Sequence, residues 1–397
     1  MTAASTRSRR IAPDPFERSA GVLLLALLVG CEPSEPSSGG PVNAWAYQSA
    51  PVVTAMPSAG VTVAPSASAP PPVPEPPPPL KPRGVARGDG APQDAHLASG
   101  DALYDKTDYA AAEEAYRKAM QLAPKDPAPI VGFSRARLAK DSVPVDFNSA
   151  PSSPSLKGVI EELKRAIKLD DKYAPAHLEL GRALLVQGKA DVAMTSIKRA
   201  LELDASDPEA HSSFGVALLA KGDLAGATVA LKKAADLDPG AAPRQSNLGT
   251  ALLASGKVPE AIAAYEKALK LAPNDPGTLN DLGTAHLAQS QPDLALGYLE
   301  KAVKLAPKRA TLVQNLAYAH HQKGQLDKAQ GLYEEAIKLD PKLVSALINL
   351  GNLQAQRGKL AEARALFDKA KAVDPSDPRV KSALADLDEL EKSSKKK

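Results

Sequence analysis

The chain has 397 residues, of which 44% are hydrophobic but only 4% aromatic, and 36 are prolines. At roughly 150 residues per domain the length alone would suggest two or three globular domains, but an apolar content made mostly of alanine and leucine suits thin, closely packed helices. A balance of 49 basic to 46 acidic residues excludes the strongly basic surface of a phosphate-backbone binder, and a single cysteine excludes an internal disulfide or a cysteine-cluster metal site.

The first 19 residues carry Arg7, Arg9, Arg10 and Arg18, and Ala20 to Gly30 follow as AGVLLLALLVG without a charge. Eleven residues rise only about 16 Å as a helix, about half of a bilayer core, which predicts a signal-peptide core and not a spanning helix. The end of this stretch, Leu28-Val29-Gly30-Cys31, resembles the lipobox of bacterial lipoproteins. That resemblance implies cleavage before Cys31, acylation of Cys31 and lasting membrane attachment through the lipid. It places the protein in the bacterial cell envelope, with the outer membrane facing the periplasm as the expected location. Ser8-Arg9-Arg10 lacks the continuation of a twin-arginine signal.

Residues 31–92 are rich in proline, alanine and serine, with the run Pro70-Pro71-Pro72-Val73-Pro74-Glu75-Pro76-Pro77-Pro78-Pro79. Such a segment buries too little apolar surface to offset its ordering entropy, so it reads as a disordered tether. At about 3.1 Å per residue in polyproline form it would span at most ~190 Å.

Beyond residue 92 the chain repeats itself. Gly181, Gly215, Gly249, Gly283, Ala317 and Gly351 are spaced by 34 residues. Each is followed by an alanine pair at constant spacing: Ala193 and Ala200, Ala227 and Ala234, Ala261 and Ala268, Ala295 and Ala302, Ala329 and Ala336, Ala363 and Ala370. Two antiparallel helices approach closely only where small residues meet, so this period predicts stacked helix pairs. Pro239, Pro273, Pro307, Pro341 and Pro375 fall where each second helix should stop.

The pattern resembles the tetratricopeptide repeat (TPR), as in Leu248, Gly249, Leu252, Ala261, Tyr265, Ala268 and Pro273 of segment 242–275. An earlier unit, 93–126, shares it through Gly100, Ala112, Tyr116, Ala119 and Pro124. The next starts at Pro127, has Ser134 at the glycine position, and reaches Ala166 only after a 13-residue insertion near 141–155. The resemblance implies an all-α, right-handed superhelical solenoid of about eight helix-turn-helix repeats over 93–377. Residues 378–397 would form a capping helix and basic tail.

Six histidines invite a metal or catalytic reading, but register opposes it. His96, His177 and His211 occupy repeat position 4, and His286 and His320 occupy position 11, where the family places packing residues. His320 and His321 are neighbours whose rings would point about 100° apart on a helix, which disfavours joint ligation. No phosphate loop or nucleophile elbow is present. The chain is therefore expected to be non-enzymatic, without cofactor, metal or nucleic-acid partner. Basic pairs such as Arg117-Lys118 and Lys198-Arg199 on the second helices read as a solvated face, since acidic residues such as Glu113 and Glu114 lie within a turn.

First-helix positions 5, 6 and 9 should line the concave groove of such a solenoid. In repeats five to eight they are Ser246, Asn247 and Thr250; Asn280, Asp281 and Thr284; Gln314, Asn315 and Tyr318; and Ile348, Asn349 and Asn352. Asparagine both donates and accepts, so a ladder of it suits the backbone of an extended peptide. A similar ladder lines the TPR superhelix of O-linked N-acetylglucosamine transferases, whose catalytic half has no counterpart here. No lysine occupies position 5, so the carboxylate clamp of chaperone-binding TPR domains is not expected. The expected role is a lipid-anchored scaffold binding peptide segments of other envelope proteins. The alternative is an assembly component of a pilus, secretion or other envelope machine. Nothing in the sequence sets the oligomeric state.

Overall fold

The computed structural model describes residues 84–141 and 154–394, and the described elements are all helices. The expected signal peptide, Cys31, most of the expected tether and the body of the insertion lie outside the described residues. The helices come as pairs: α1 (Asp94–Asp105) with α2 (Tyr109–Leu122), α3 (Pro127–Lys140) with α4 (Pro154–Leu169), and α5 (Ala174–Val186) with α6 (Ala190–Leu203). Then come α7 (Pro208–Ala220) with α8 (Leu224–Leu237), α9 (Ala242–Ala254) with α10 (Val258–Leu271), and α11 (Pro276–Ala288) with α12 (Pro292–Leu305). The last pairs are α13 (Ala310–Gln322) with α14 (Leu326–Leu339) and α15 (Val344–Gln356) with α16 (Leu360–Val373), closed by α17 (Pro378–Ser394).

Local chemistry sets these boundaries. Asp126, Asp207 and Asp275 cap first helices by accepting from the N–H groups of Ala128, Glu209 and Thr278, and each is followed by a proline whose missing N–H costs nothing there. Seven first helices end where the chain turns left-handed. Gly188, Gly222, Gly256, Gly324 and Gly358 supply φ between 73° and 78° at the same register, with Thr107 (64°) and Ser290 (57°) as the exceptions.

Within a repeat the periodic glycine of the first helix admits a large side chain from the second. A Cβ on Gly249 would stand 2.7 Å from Cε1 of Tyr265, and one on Gly351 would stand 2.3 Å from Cε1 of Phe367. The alanine pairs Ala261 and Ala268, and Ala329 and Ala336, have no exposed surface, as the sequence spacing predicts. Three ion pairs at the same register tie the end of a first helix to the start of the preceding second helix: Lys221 with Asp191, Lys323 with Asp293, and Arg357 with Asp327.

Each second helix packs on its own first helix and on the next one, while consecutive first helices also touch each other. The first helices therefore form the inner wall and the second helices the outer one. At the C-terminal end Val380, Ala383 and Leu387 of α17 join the cluster around Phe367, and Arg364 pairs with Asp388 and Glu391. The apolar end of the stack is thereby closed.

The tether departs from expectation at its C-terminal end. Residues 84–92 pack against the first repeats and donate backbone hydrogen bonds to them, with Val85 buried. The position-4 histidines depart as well. His177 and His211 bond through Nε2 to the carbonyls of Asp171 and Ala205, each at 2.9 Å, and so brace the turn before their own helix rather than fill a core.

Candidate functional site

The inner wall of repeats four to eight carries the polar ladder, but most of it faces neighbouring helices. Asn247 Nδ2 donates to Ser212 Oγ at 3.2 Å, Thr278 Oγ1 to Ser246 Oγ at 3.2 Å, Asn315 Nδ2 to Asn280 Oδ1 at 2.8 Å, and Ser345 Oγ to Gln314 Oε1 at 3.2 Å. Every one of these bonds crosses from one first helix to the next. Asn247, Thr250, Asn280, Asp281, Gln314 and Asn315 are buried, with Asn247 only 3% exposed. The expectation that these side chains stand open to a peptide is thus corrected. First helices approach closely on the inside of the curve, which turns positions 5 and 6 toward each other, and polar groups so enclosed pair with one another.

The remaining predicted residues are more accessible. Ser246, Thr284 and Asn349 are half-buried, while Asn352 and Tyr318 are exposed, the latter at 37%. Tyr318 accepts from Gln322 Nε2 at 2.6 Å, and His321 Nε2 meets Gln356 Oε1 at 2.9 Å, so the open part of this wall lies in repeats seven and eight.

Asp281 is the one carboxylate inside the ladder. Burial pushes its carboxyl up to about 7; the bond from Asn280 opposes the rise, nearby Asp275 adds to it and Arg309 opposes it.

Toward the N-terminus the same wall becomes charged. Arg135 Nε donates to Glu179 Oε1 at 2.6 Å, and Arg182 bonds Glu179 at 3.3 Å and also Glu209. Glu179 and Arg182 are 5% and 4% exposed. Arg182, Glu209, Ser213 and Arg244 line a shallow depression that meets the ladder at Asn247. Sequence reasoning passed over this network, although the charges Glu179 and Arg182 at positions 6 and 9 of the third repeat follow Asp101 and Arg135 at position 9 of the first two.

At the N-terminal end the wall holds a stretch of its own chain. Asp101 accepts from the N–H groups of Val85 at 3.1 Å and Ala86 at 3.0 Å, and Asp94 accepts from those of Arg87 at 2.7 Å and Gly88 at 3.0 Å. Two carboxylates thus bracket four consecutive backbone amides.

Tetratricopeptide repeat family profiles match residues 93–126, 160–208, 178–242, 244–308, 280–343 and 321–387. The chain belongs to the tetratricopeptide repeat family. No curated protein matches it. Among solved structures, the APC/C hetero-tetramer Cut9-Hcn1 matches with a TM-score of 0.58 at 16% identity, over 75% of this chain and 57% of that one. A monomeric IFIT1 mutant with Gppp-AAAA matches with a TM-score of 0.54 at 16% identity, over 71% of each chain. PilF of Pseudomonas aeruginosa matches at 21% identity with a TM-score of 0.45, over 54% of this chain and 98% of that one. The first two share the TPR fold with this chain, which spans 57% of the length of the Cut9-Hcn1 chain it matches.

The TPR register also explains the inner histidines. His286 and His320 at position 11 bond through Nδ1 to Oε1 of Gln291 at 2.9 Å and of Gln325 at 2.6 Å, fastening the turn between the two helices of a repeat. Among the described residues no group of three or more His, Cys, Asp or Glu is placed to hold a metal ion, and no helix is long and apolar enough to cross a membrane.

Proposed function

We propose that this TPR protein is a scaffold that holds non-helical segments of other proteins along its inner wall, displayed from the bacterial envelope by an acylated Cys31 and a proline-rich tether. The observation that carries the groove reading is the set of four amides already held there, from Val85 to Gly88. The anchor and the compartment rest on the lipobox-like Leu28-Val29-Gly30-Cys31. Tyr318 and Asn352, with Ser246, Thr284 and Asn349 beside them, are the ladder residues a client reaches. Asn247, Thr250, Asn280, Asp281, Gln314 and Asn315 keep the wall in shape by bonding to each other and to neighbouring helices.

The test is site-specific photocrosslinking of the full chain in cells, with the crosslinker at Tyr318, at Asn352 and at the exposed outer residue Val229. Clients captured at the first two positions and not at Val229 support the scaffold. Capture at Val229 alone would move binding to the outer wall. Mass spectrometry of the membrane fraction with Cys31→Ala tests the anchor, and a variant that stays membrane-bound after high-salt washing and is cleaved normally would remove it.

A further inference from the structure

We propose that the cleft between Asp94, Asp101 and Asp126 is a recognition site for a partner's non-helical segment bearing a small aliphatic residue and, two residues later, an arginine. Val85 to Gly88 is its resident, exchangeable occupant. The inference rests on the groove reading above and adds the place and the chemistry of recognition.

The receptor is built before the segment arrives. Tyr116 donates its hydroxyl to Asp101 Oδ1 at 2.8 Å, which holds that carboxylate through the same oxygen that accepts from Val85. Asp126 is held by its role as cap of α3, accepting from Ala128 N–H at 3.0 Å and from Gln93 Nε2 at 3.1 Å. The occupant meets three kinds of contact. Its four N–H groups go to Asp101 and Asp94, so a proline at any of these positions would remove a donor. The Val85 side chain enters the cluster of Leu97, Tyr116 and Ile130. The Arg87 guanidinium reaches Asp126 Oδ1 at 2.7 Å and lies 5.7 Å from the centre of the Tyr173 ring. Gly84 is required by close approach, since a Cβ there would stand 2.2 Å from Asp101 Oδ2.

The occupant is lightly held for a part of the fold. Val85 is its single buried side chain, and Arg87 to Gly90 are exposed. Gly88 and Gly90 adopt φ of 68° and 74°, with open space around both, so the segment can swing out without disturbing α1. Once it leaves, Asp94 and Asp101 lose its amides and Asp126 its arginine, and the cleft favours a basic replacement.

The experiment uses the full chain and a labelled peptide Gly-Val-Ala-Arg-Gly, the resident's own sequence at 84–88. Val85→Asp with Arg87→Glu evicts the resident and leaves the receptor carboxylates in place. Because a tethered segment competes at an effective concentration near the millimolar range, the probe should bind this variant at least tenfold more tightly than the wild type. A probe with proline in place of its alanine, or addition of Asp101→Ala, should abolish the gain. Equal binding to wild type and variant, with helicity unchanged in both, would overturn the inference and make residues 84–88 a fixed cap. Should the variant fold poorly, amide exchange in the wild type decides instead. Excess probe should accelerate exchange at 85–88, and unchanged protection would overturn the proposal. Crosslinked clients at Tyr318 without probe binding would sink this inference alone, whereas loss of both would remove the groove reading too.

Discussion

The hydroxyl of Tyr265 donates to Oγ1 of Thr250 at 3.1 Å, deep between the two helices of the fifth repeat. Tyr333 occupies the same register in the seventh, but there Ala317 replaces the glycine, Tyr318 replaces the threonine, and the buried hydroxyl has no hydrogen-bond partner. Removing the two hydroxyls should therefore have opposite effects. Tyr265→Phe should cost about 1 kcal/mol, a net hydrogen bond. Tyr333→Phe should be neutral or stabilise by up to ~1 kcal/mol, since it removes an unpaired buried polar group. Denaturant melts of the two variants beside the wild type give the comparison, and destabilisation by both would show that Tyr333 has a partner after all.

Asp281 should make stability fall with rising pH. Its carboxyl titrates near 7 when folded, against 3.8 ordinarily, so between those values the folded chain keeps a proton that the unfolded chain has released. Stability then drops by about 1.4 kcal/mol per pH unit across that window, with the contribution fully present below the lower value and gone above the upper. Asp281→Asn removes the titration at nearly constant shape. The variant should match the wild type at about pH 4 and exceed its melting temperature at pH 8; a constant difference across that range would contradict the assignment.

Ser290 stands at a turn where five other repeats place glycine, with φ of 57°. Ser290→Gly should stabilise the chain by about 0.5–1 kcal/mol, because a left-handed residue with a Cβ is strained there. The reverse change at Gly256, to alanine, should destabilise by a similar amount, although there is open space around it. Thermal melts of both variants test the turn, and equal small effects would mean that the strain is absorbed elsewhere.

The charged stretch of the inner wall should be far more sensitive than the outer face. Glu179→Ala leaves Arg135 and Arg182 facing each other with reduced compensation, and should cost about 3 kcal/mol or more. Glu161→Ala removes an exposed pair with Lys164 and should change stability by less than about 0.5 kcal/mol. Urea midpoints rank the two, and a mild Glu179 variant would show that Glu209 alone satisfies Arg182.

The repeat was legible because its cause is local: a glycine or alanine every 34 residues marks a helix crossing whatever the rest of the molecule does. The orientation of Asn247 and Asn315 was not, because it depends on how far one repeat rotates against the next, and that rotation decides whether position 6 meets a ligand or a neighbour. The place of Val85 was hidden for another reason. Its stretch follows directly on the proline-rich run, and the carboxylates that hold residues 85–88 come from positions seven residues apart on α1, with a third from the cap of α3. The glycine at the end of five first helices shows the same period as the crossing glycine and could have been read from it.

The rungs that join one first helix to the next give this solenoid an uneven mechanical response. Pulling its ends apart lengthens the inner wall, so Asn247 parts from Ser212, Asn315 from Asn280 and Ser345 from Gln314, each separation small and each freed group met by water. Pushing the ends together drives helices against close-packed alanine contacts that have no exposed surface, such as those at Ala268 and Ala302. The molecule should therefore behave as a spring that yields gradually in extension and stiffens abruptly in compression.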